Sequence, residues 1–226
     1  MIITFDQFTQ KLAHGQLKNT ALVDDSDTGE INPGHEDQIL SLTNQGLTDI
    51  FTKKKLLEGR AVLTLTSGTN LYTLNTGSGQ DYEDMIRVLQ VEAVVTGNEV
   101  IEANKKVFVP KSNKHVTMPS DTVIRFSDAF ISTYGPEVDV LFQKKHPLLV
   151  LGTQENINMP SHMFEALVLY VSGLYLSHMG GEEHTAKGDS YYGLYLRMLG
   201  EDEINNSSGT SELLDEDTRF SDRGFV

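Results

Sequence analysis

One segment of the chain, residues 163–176, constrains the fold more than any other. It is apolar on nearly every side of a helix, and a helix of that kind has to be buried all round. It holds about 14 residues, includes Glu165, and falls short of the roughly 20 apolar residues that span a bilayer. The segment therefore predicts a core helix or a subunit interface rather than a membrane anchor. The residues expected to form it are Phe164, Leu167, Tyr170, Val171 and Leu174.

Helical patterns stand on both sides of this segment. Gly180 and Gly181 end it, and a final helix is predicted over 187–198 from the spacing of Tyr191, Leu194, Tyr195 and Met198. Gly173 is expected to mark close helix packing. Near the start, Thr4 and Gln7 form a capping box, and Gly15 ends the short helix that they begin. Apolar residues at helical spacing then predict an amphipathic helix over 36–57, interrupted by Gly46.

Between these helical regions, apolar residues recur at every second position. Residues 62–65 and 71–74 flank Ser67, Gly68, Thr69 and Asn70, which is typical of two strands around a tight turn. Strand-like runs follow at 86–95, 107–110, 122–126 and 138–142, and predict an antiparallel β-domain. The charged residues Asp139, Lys144, Lys145 and His146 indicate an edge strand that discourages unwanted pairing.

The predicted fold class is α+β. Its helical bundle combines N-terminal helices with two C-terminal helices, and an antiparallel β-rich domain is inserted between them. The division is 1–59 for the N-terminal helices, 60–158 for the β-rich domain, 159–200 for the C-terminal helices and 201–226 for a flexible acidic tail. A chain of 226 residues with 38% hydrophobic content can bury such a core without disulfides or metals.

Charge is concentrated at the C-terminus. The formal charge is -14, and the last 26 residues carry eight acids and two arginines, a net of -6. An acidic chain does not displace counterions from phosphates, which argues against a general nucleic-acid binder. Apolar and basic residues are interspersed among the acidic residues of the tail. This pattern predicts a segment that folds on a partner, the alternative being a solvated tail. The residues expected to bind are Leu213, Leu214, Arg219, Phe220, Arg223 and Phe225.

Catalytic patterns are scarce. The chain has no cysteine, so thiol chemistry and thiolate metal sites are excluded, and its glycines form no phosphate-binding loop. Ser172 lies mid-helix and lacks the strained turn of a hydrolase nucleophile. His178, Glu182 and His184 offer a two-histidine, one-carboxylate metal site across the Gly-Gly break, with surface histidines as the alternative. The acidic stretch 24–34 matches a calcium loop only loosely. We expect no catalytic residue, no metal and no cofactor.

Several stretches resemble the head-to-tail adaptor (connector) proteins of tailed bacteriophages, which include tail tubular protein A of short-tailed phages. Two helices precede 62–65, 71–74 and 84–88, and the stretch 139–147 follows. The longest stretch runs from Ile157 to Tyr170, with Tyr191, Tyr192 and Tyr195 beyond it and an ending at 223–226. Together these stretches cover most of the chain, and none is a catalytic signature.

The resemblance implies a virion structural protein and not an enzyme. It implies a dodecameric ring of this chain at the head-tail junction, assembled from subunits made in the host cytoplasm. The ring's partners would be the portal protein on one face and a downstream tail or nozzle protein on the other. Genomic DNA would pass through the lumen without specific binding, and no membrane would be involved.

Two other classes of function stay open on the residues alone. One is a metal-dependent hydrolase that uses His178, Glu182 and His184. The other is a ligand-binding β-module carried on a helical base.

Overall fold

The computed structural model describes residues 2–18, 20, 22–23, 31–77, 79–95, 105–109, 115–152 and 156–207. The chain forms two compact units. Unit 1 comprises Met1–Gly46 and Leu149–Val226, and unit 2 comprises Leu47–Leu148. Helices and antiparallel sheets are both present, so the predicted α+β class is confirmed.

Helices dominate unit 1. The helices of the chain are α1 (Phe5–His14), α2 (Glu36–Lys53), α3 (Phe130–Tyr134), α4 (Ser161–Met179) and α5 (Glu182–Ser207), with a 3-10 turn at Pro33–His35. All but α3 belong wholly or partly to unit 1, and the boundary between the units falls within α2 after Gly46. A two-stranded sheet of β1 (Ile2–Thr4) and β9 (Asn156–Asn158) completes unit 1.

Local sequence signals set the helix ends in unit 1. Thr4 accepts a hydrogen bond from the Gln7 amide while the Gln7 side chain accepts one from the Thr4 amide, which confirms the capping box. Helix α4 begins after Pro160 and ends at Gly180. Gly180 and Gly181 have φ of 73° and 84°, a left-handed conformation that favours glycine and lets the chain turn directly into α5.

The core of unit 1 is built around α4. Phe8 of α1 meets Phe164 edge-on, with ring centroids 5.6 Å apart. Gly46 of α2 lies so close to α4 that a Cβ there would come 2.7 Å from Leu167 Cδ1 and 2.8 Å from Tyr170 Cδ1. The interruption that the sequence shows at Gly46 is therefore a helix contact and not a break, because α2 continues through it.

A side-chain amide holds the returning chain to α2. Asn44 donates from Nδ2 to the Leu149 carbonyl at 3.0 Å and accepts from the Leu149 amide at 2.9 Å. Both backbone groups of Leu149 are thereby satisfied where the second segment of unit 1 begins.

Unit 2 contains two antiparallel sheets. The four-stranded sheet has the order β2 (Glu58–Thr64), β8 (Glu137–Lys144), β4 (Met85–Val95), β5 (Lys105–Val109). The three-stranded sheet has the order β3 (Leu71–Thr73), β7 (Val123–Phe126), β6 (Val116–Ser120). One hydrophobic core, which includes Val91, Ile124, Phe130 and Val140, is shared by both sheets and α3.

Two expectations about this β-region are wrong. Strands β2 and β3 do not pair around 67–70, because β2 pairs with β8 and β3 pairs with β7. The strand that carries Asp139 is not an edge strand, since β8 lies between β2 and β4. Its Asp139 is 5% exposed and Gln143 is fully buried. The charge of Asp139 is compensated by Arg60 of β2, in the interior of the sheet and not at an open edge.

Candidate interaction surfaces

The six residues predicted to bind a partner, Leu213, Leu214, Arg219, Phe220, Arg223 and Phe225, lie outside the described residues. The acidic stretch 24–30 also lies outside them.

The predicted core or interface residues lie along α4. Phe164, Leu167, Tyr170 and Val171 are buried within unit 1, and Leu174 is half-buried. Within the single chain these side chains are core. The Lys11 ammonium lies 4.6 Å from the centroid of the Phe164 ring and pairs with Glu165, so the exposed side of this part of α4 is charged.

Two glycines bring α4 and α5 into close contact. A Cβ on Gly173 would lie 3.0 Å from the Gly188 carbonyl oxygen and 3.1 Å from the Tyr192 amide nitrogen. Gly173 thus marks close helix packing, as the sequence predicts. Ser177 donates to the Gly173 carbonyl at 3.0 Å, so the hydroxyl at the contact is satisfied within α4.

An aromatic cluster continues the α4–α5 contact beyond the glycines. Tyr170 of α4 meets Tyr195 of α5 edge-on at 5.1 Å, and Tyr192 lies 5.6 Å from Tyr195. Tyr195 is fully buried and Leu199 is 6% exposed. The buried face of α5 is thus formed by Gly188, Tyr195 and Leu199.

Some apolar residues of α5 lie on its flank, outside the buried face of the helix. Tyr191, Leu194 and Met198 follow one another at spacings of three and four, and we call them the α5 stripe. Leu194 is 44% exposed, and the other two are half-buried. Leu196, on the opposite flank, is 47% exposed. A stripe of this width is a surface that can receive the apolar face of another helix.

The histidines of the metal-site alternative lie on the surface of unit 1. His162 and His178 are exposed and His184 is half-buried, while Glu182 is exposed at the start of α5. In the portion of the chain that is described, no three His, Asp or Glu side chains are grouped so as to hold a metal ion. Among the described residues, His178, Glu182 and His184 are therefore not assembled into the ligand set of the metal-site alternative. No described helix is both long and apolar enough to cross a membrane.

A buried amide organises the four-stranded sheet of unit 2. Gln143 on β8 accepts from Arg87 Nε at 2.8 Å and donates to the carbonyls of Phe51 and Lys54, the latter at 3.1 Å. Those two carbonyls belong to the C-terminal end of α2, whose last carbonyls have no partner within the helix. One side chain therefore caps a helix and links two strands, a role that no local sequence signal marks.

Charged side chains cross the same sheet. Arg60 on β2 lies 3.4 Å from Glu92 on β4 and 3.6 Å from Asp139 on β8. Glu92 and Asp139 are cross-strand neighbours and are mostly buried. The guanidinium offsets the repulsion between the two carboxylates, and Gln90 donates a further hydrogen bond to Glu92 at 2.7 Å.

Two tyrosines have raised pKa values. Burial, with smaller contributions from the charges of Asp81 and Asp139, raises the pKa of Tyr82 in unit 2 from 10.0 to about 12. Its hydroxyl is buried, and no described residue forms a hydrogen bond with it. Burial also raises the pKa of Tyr175 on α4. Both shifts follow from desolvation and favour the neutral phenol.

Unit 2 has one shallow cleft that bears on the ligand-binding alternative. It has a volume of about 330 Å³ and lies between the loop 65–70 and residues 126–132. Its polar groups include Ser67, Thr69 and Asp128, and Asn70 donates from Nδ2 to Asp128. The Tyr72 hydroxyl accepts from the Thr66 amide at 2.6 Å and fixes the loop.

No family model matches the chain, and no curated protein matches it. Among solved structures, the chain is similar to one in the "Neck of empty GTA particle computed with C6 symmetry". The two are 14% identical, the match covers 80% of this chain and 86% of that chain, and the TM-score is 0.29.

Proposed function

We propose that this chain is a structural protein of the neck of a tailed-phage particle, where it forms a head-to-tail adaptor ring. In this role the chain is not an enzyme. Its partners are the portal protein, a downstream tail or nozzle protein and other copies of itself in a ring, with DNA passing through the lumen. It is located at the head-tail junction of the virion.

The α5 stripe is the observation that carries the proposal. Helix α5 has 26 residues, and the face that contains Tyr195 and Leu199 already packs against α4. Leu194, 44% exposed, extends the apolar surface beyond what the chain's own core uses. An apolar stripe with one exposed and two half-buried residues at helical spacing can serve as an interaction site, and a virion protein would bury such surface on assembly.

Charge supports the lumen part of the proposal. At a net charge of -14 the chain repels phosphate, and a repulsive wall lets DNA slide through a channel without sticking. The role therefore needs no base contacts and no basic patch.

The C-terminal residues supply the second contact in the proposal. Phe220 and Phe225 would act as apolar anchors on the portal, and Arg219 and Arg223 would pair with its acidic side chains. Truncation after Ser207 tests this point by pull-down with the portal protein. If the truncated chain bound the portal protein as strongly as the full-length chain, the C-terminal residues would have no part in portal binding.

Substitution of Leu194 by lysine tests the α5 stripe. We expect Leu194→Lys to weaken assembly with the portal protein by tenfold or more, because a charge placed in a buried apolar contact is costly. Leu196→Lys, on the opposite flank of the same helix and with a similar exposure of 47%, is the matched control and should assemble normally. Equal assembly of the two variants would contradict a role for the stripe.

A further inference from the structure

Strand β2 is an edge strand of the four-stranded sheet. It runs over seven residues, Glu58–Thr64, and every one of them is in register with β8 without a bulge. In the described part of unit 2 no strand lies on its other side. An edge of this length is a template for a further strand.

The hydrogen bonds at the two ends of β2 show which backbone groups face the open edge. The Lys144 amide donates to the Leu57 carbonyl at 2.9 Å, and the Leu65 amide donates to the Pro136 carbonyl at 2.6 Å. Bonded pairs in an antiparallel ladder alternate, so Gly59, Ala61 and Leu63 bond to β8. The N–H and C=O groups of the residues between them, Glu58, Arg60, Val62 and Thr64, therefore point away from the sheet.

This edge is longer and more regular than the edges of the three-stranded sheet. Strand β3 has only three residues, and β6 contains Pro119 and a register shift. On β2, Val62 is 55% exposed. Arg60 is drawn across the sheet to Glu92 and Asp139. A long, regular edge with an exposed valine is a surface that a protein either covers by assembly or loses to aggregation.

The opposite edge of the same sheet supplies a matching strand. Strand β5 (Lys105–Val109) is the last described strand on that side, and its sequence KKVFV is rich in β-forming residues. All neighbours in the sheet are antiparallel, so β2 and β5 run in opposite directions. A second copy in the same orientation can therefore place its β5 antiparallel to β2 of the first copy.

We propose that β2 of one copy pairs with β5 of a second copy, so that the sheet continues from subunit to subunit. The contact is heterologous, and heterologous contacts close into rings when the rotation permits. The proposal rests on the proposed function for the ring, and it adds the surface by which copies of the chain meet.

Engineered cysteines test the pairing directly, because the natural chain has none. Val62→Cys is combined in turn with a single cysteine at each of positions 105 to 109. Each variant is oxidised both as the concentrated free chain and after co-expression with the portal protein. Non-reducing gels should show a ladder of trimers and higher species for at least one pair, at least fivefold above the same pair with Gln80→Cys, an exposed position away from both edges.

Two results would overturn the pairing. One is the absence of a ladder in both preparations, and the other is a dimer formed by Val62→Cys alone, which indicates a symmetric β2–β2 contact. Rings on the portal without a ladder would remove this proposal and leave the adaptor function intact. A ladder without portal-bound rings would support the strand pairing and contradict the adaptor function.

A proline variant gives an independent readout. Val62→Pro removes an N–H group that faces the open edge and leaves the ladder to β8 unbroken, so its far-UV spectrum should match that of the unaltered chain. The ladder is measured here with Thr64→Cys, an exposed position of β2, combined with the best of positions 105 to 109, and the proline should reduce it at least fivefold. An unchanged ladder from a folded proline variant would contradict the pairing.

Discussion

Gly173 and Gly188 meet at the point where α4 and α5 come closest. A Cβ on Gly188 would lie 2.7 Å from the Gly173 carbonyl oxygen and 2.5 Å from Ser177 Oγ. Neither distance is tolerated by a real side chain, so glycine is required for the contact. The contact in turn sets which face of α5 is buried and which apolar residues remain for assembly.

Gly188→Ala should destabilise the chain. Alanine normally stabilises a helix by about 1 kcal/mol relative to glycine. Here the added methyl group meets backbone, and overpacking of this kind costs about 1–3 kcal/mol, so we expect a net loss. Urea unfolding followed by far-UV circular dichroism measures the change in free energy.

Gly193→Ala is the control for that substitution. Gly193 lies in the same helix, and nothing stands within 4 Å of where its Cβ would be. The helix preference for alanine then acts alone, and we expect stabilisation by about 0.5–1 kcal/mol. Destabilisation of both variants to the same extent would show that the α4–α5 contact is not as close as described.

Gln143→Met should destabilise unit 2. The substitution keeps the length of the side chain and removes the hydrogen bonds to Arg87, Phe51 and Lys54. Each buried polar group left without a hydrogen bond lowers the free energy of unfolding by about 1–3 kcal/mol. Hydrogen bonds to water recover part of this loss. Gln10→Met, at an exposed position of α1, should leave the unfolding midpoint within experimental error. Equal midpoints for the two variants would contradict the role of Gln143.

Tyr82→Phe should be neutral or stabilising at pH 7. The Tyr82 hydroxyl is buried and has no hydrogen-bond partner among the described residues, so its removal sacrifices no hydrogen bond with them. Tyr72→Phe is the contrasting variant, because the Tyr72 hydroxyl bonds both the amide and the carbonyl of Thr66. We expect Tyr72→Phe to cost about 1 kcal/mol in the free energy of unfolding. The reverse order of stability would refute this assignment of partners.

The stability of the chain should fall between pH 10 and pH 12 through Tyr82. Its pKa is 10.0 when exposed and about 12 in the folded protein, so the unfolded chain releases this proton first as the pH rises. The contribution is complete below pH 10 and declines by about 1 kcal/mol per pH unit toward pH 12. Urea midpoints across this range should fall less steeply for Tyr82→Phe, and parallel curves would contradict the shift.

Local signals made much of the helical part predictable. The capping box at Thr4 and Gln7, the start of α4 after Pro160 and its end at Gly180 all follow from residues within one turn of the boundary. The buried character of α4 follows from its composition. Helix α5 is longer than predicted, Glu182–Ser207 rather than 187–198. It starts earlier because Glu182 and Glu183 suit the first turn of a helix, and it continues through 201–207, which the sequence assigned to the flexible tail.

Strand pairing was less predictable, because partners are chosen by distant residues. The segment 67–70 has the residues of a hairpin turn, yet the strands on either side of it join different sheets. Strands β1, β6 and β9 and helix α3 were not predicted, and all are short. Charge on β8 suggested an edge, whereas Arg60 and the end of α2 satisfy its polar side chains in the middle of a sheet.

The candidate surfaces also differ in how far the sequence predicts them. The buried side of α4 could be predicted from composition, but the α5 stripe depends on which face of α5 packs on α4. Tyr191, Leu194, Tyr195 and Met198 share a helical period, and only Tyr195 is fully buried. The choice of face follows from the contact between Gly173 and Gly188, which is a property of two helices together.

Electron microscopy of the chain co-expressed with the portal protein of the same genome tests the central claim most directly. The account predicts that the two proteins purify together and that class averages show a ring of this chain on one face of the portal. Leu194→Lys should lose the ring, and Leu196→Lys should keep it. A folded chain that elutes apart from the portal, with bare portals in every class, would contradict the account.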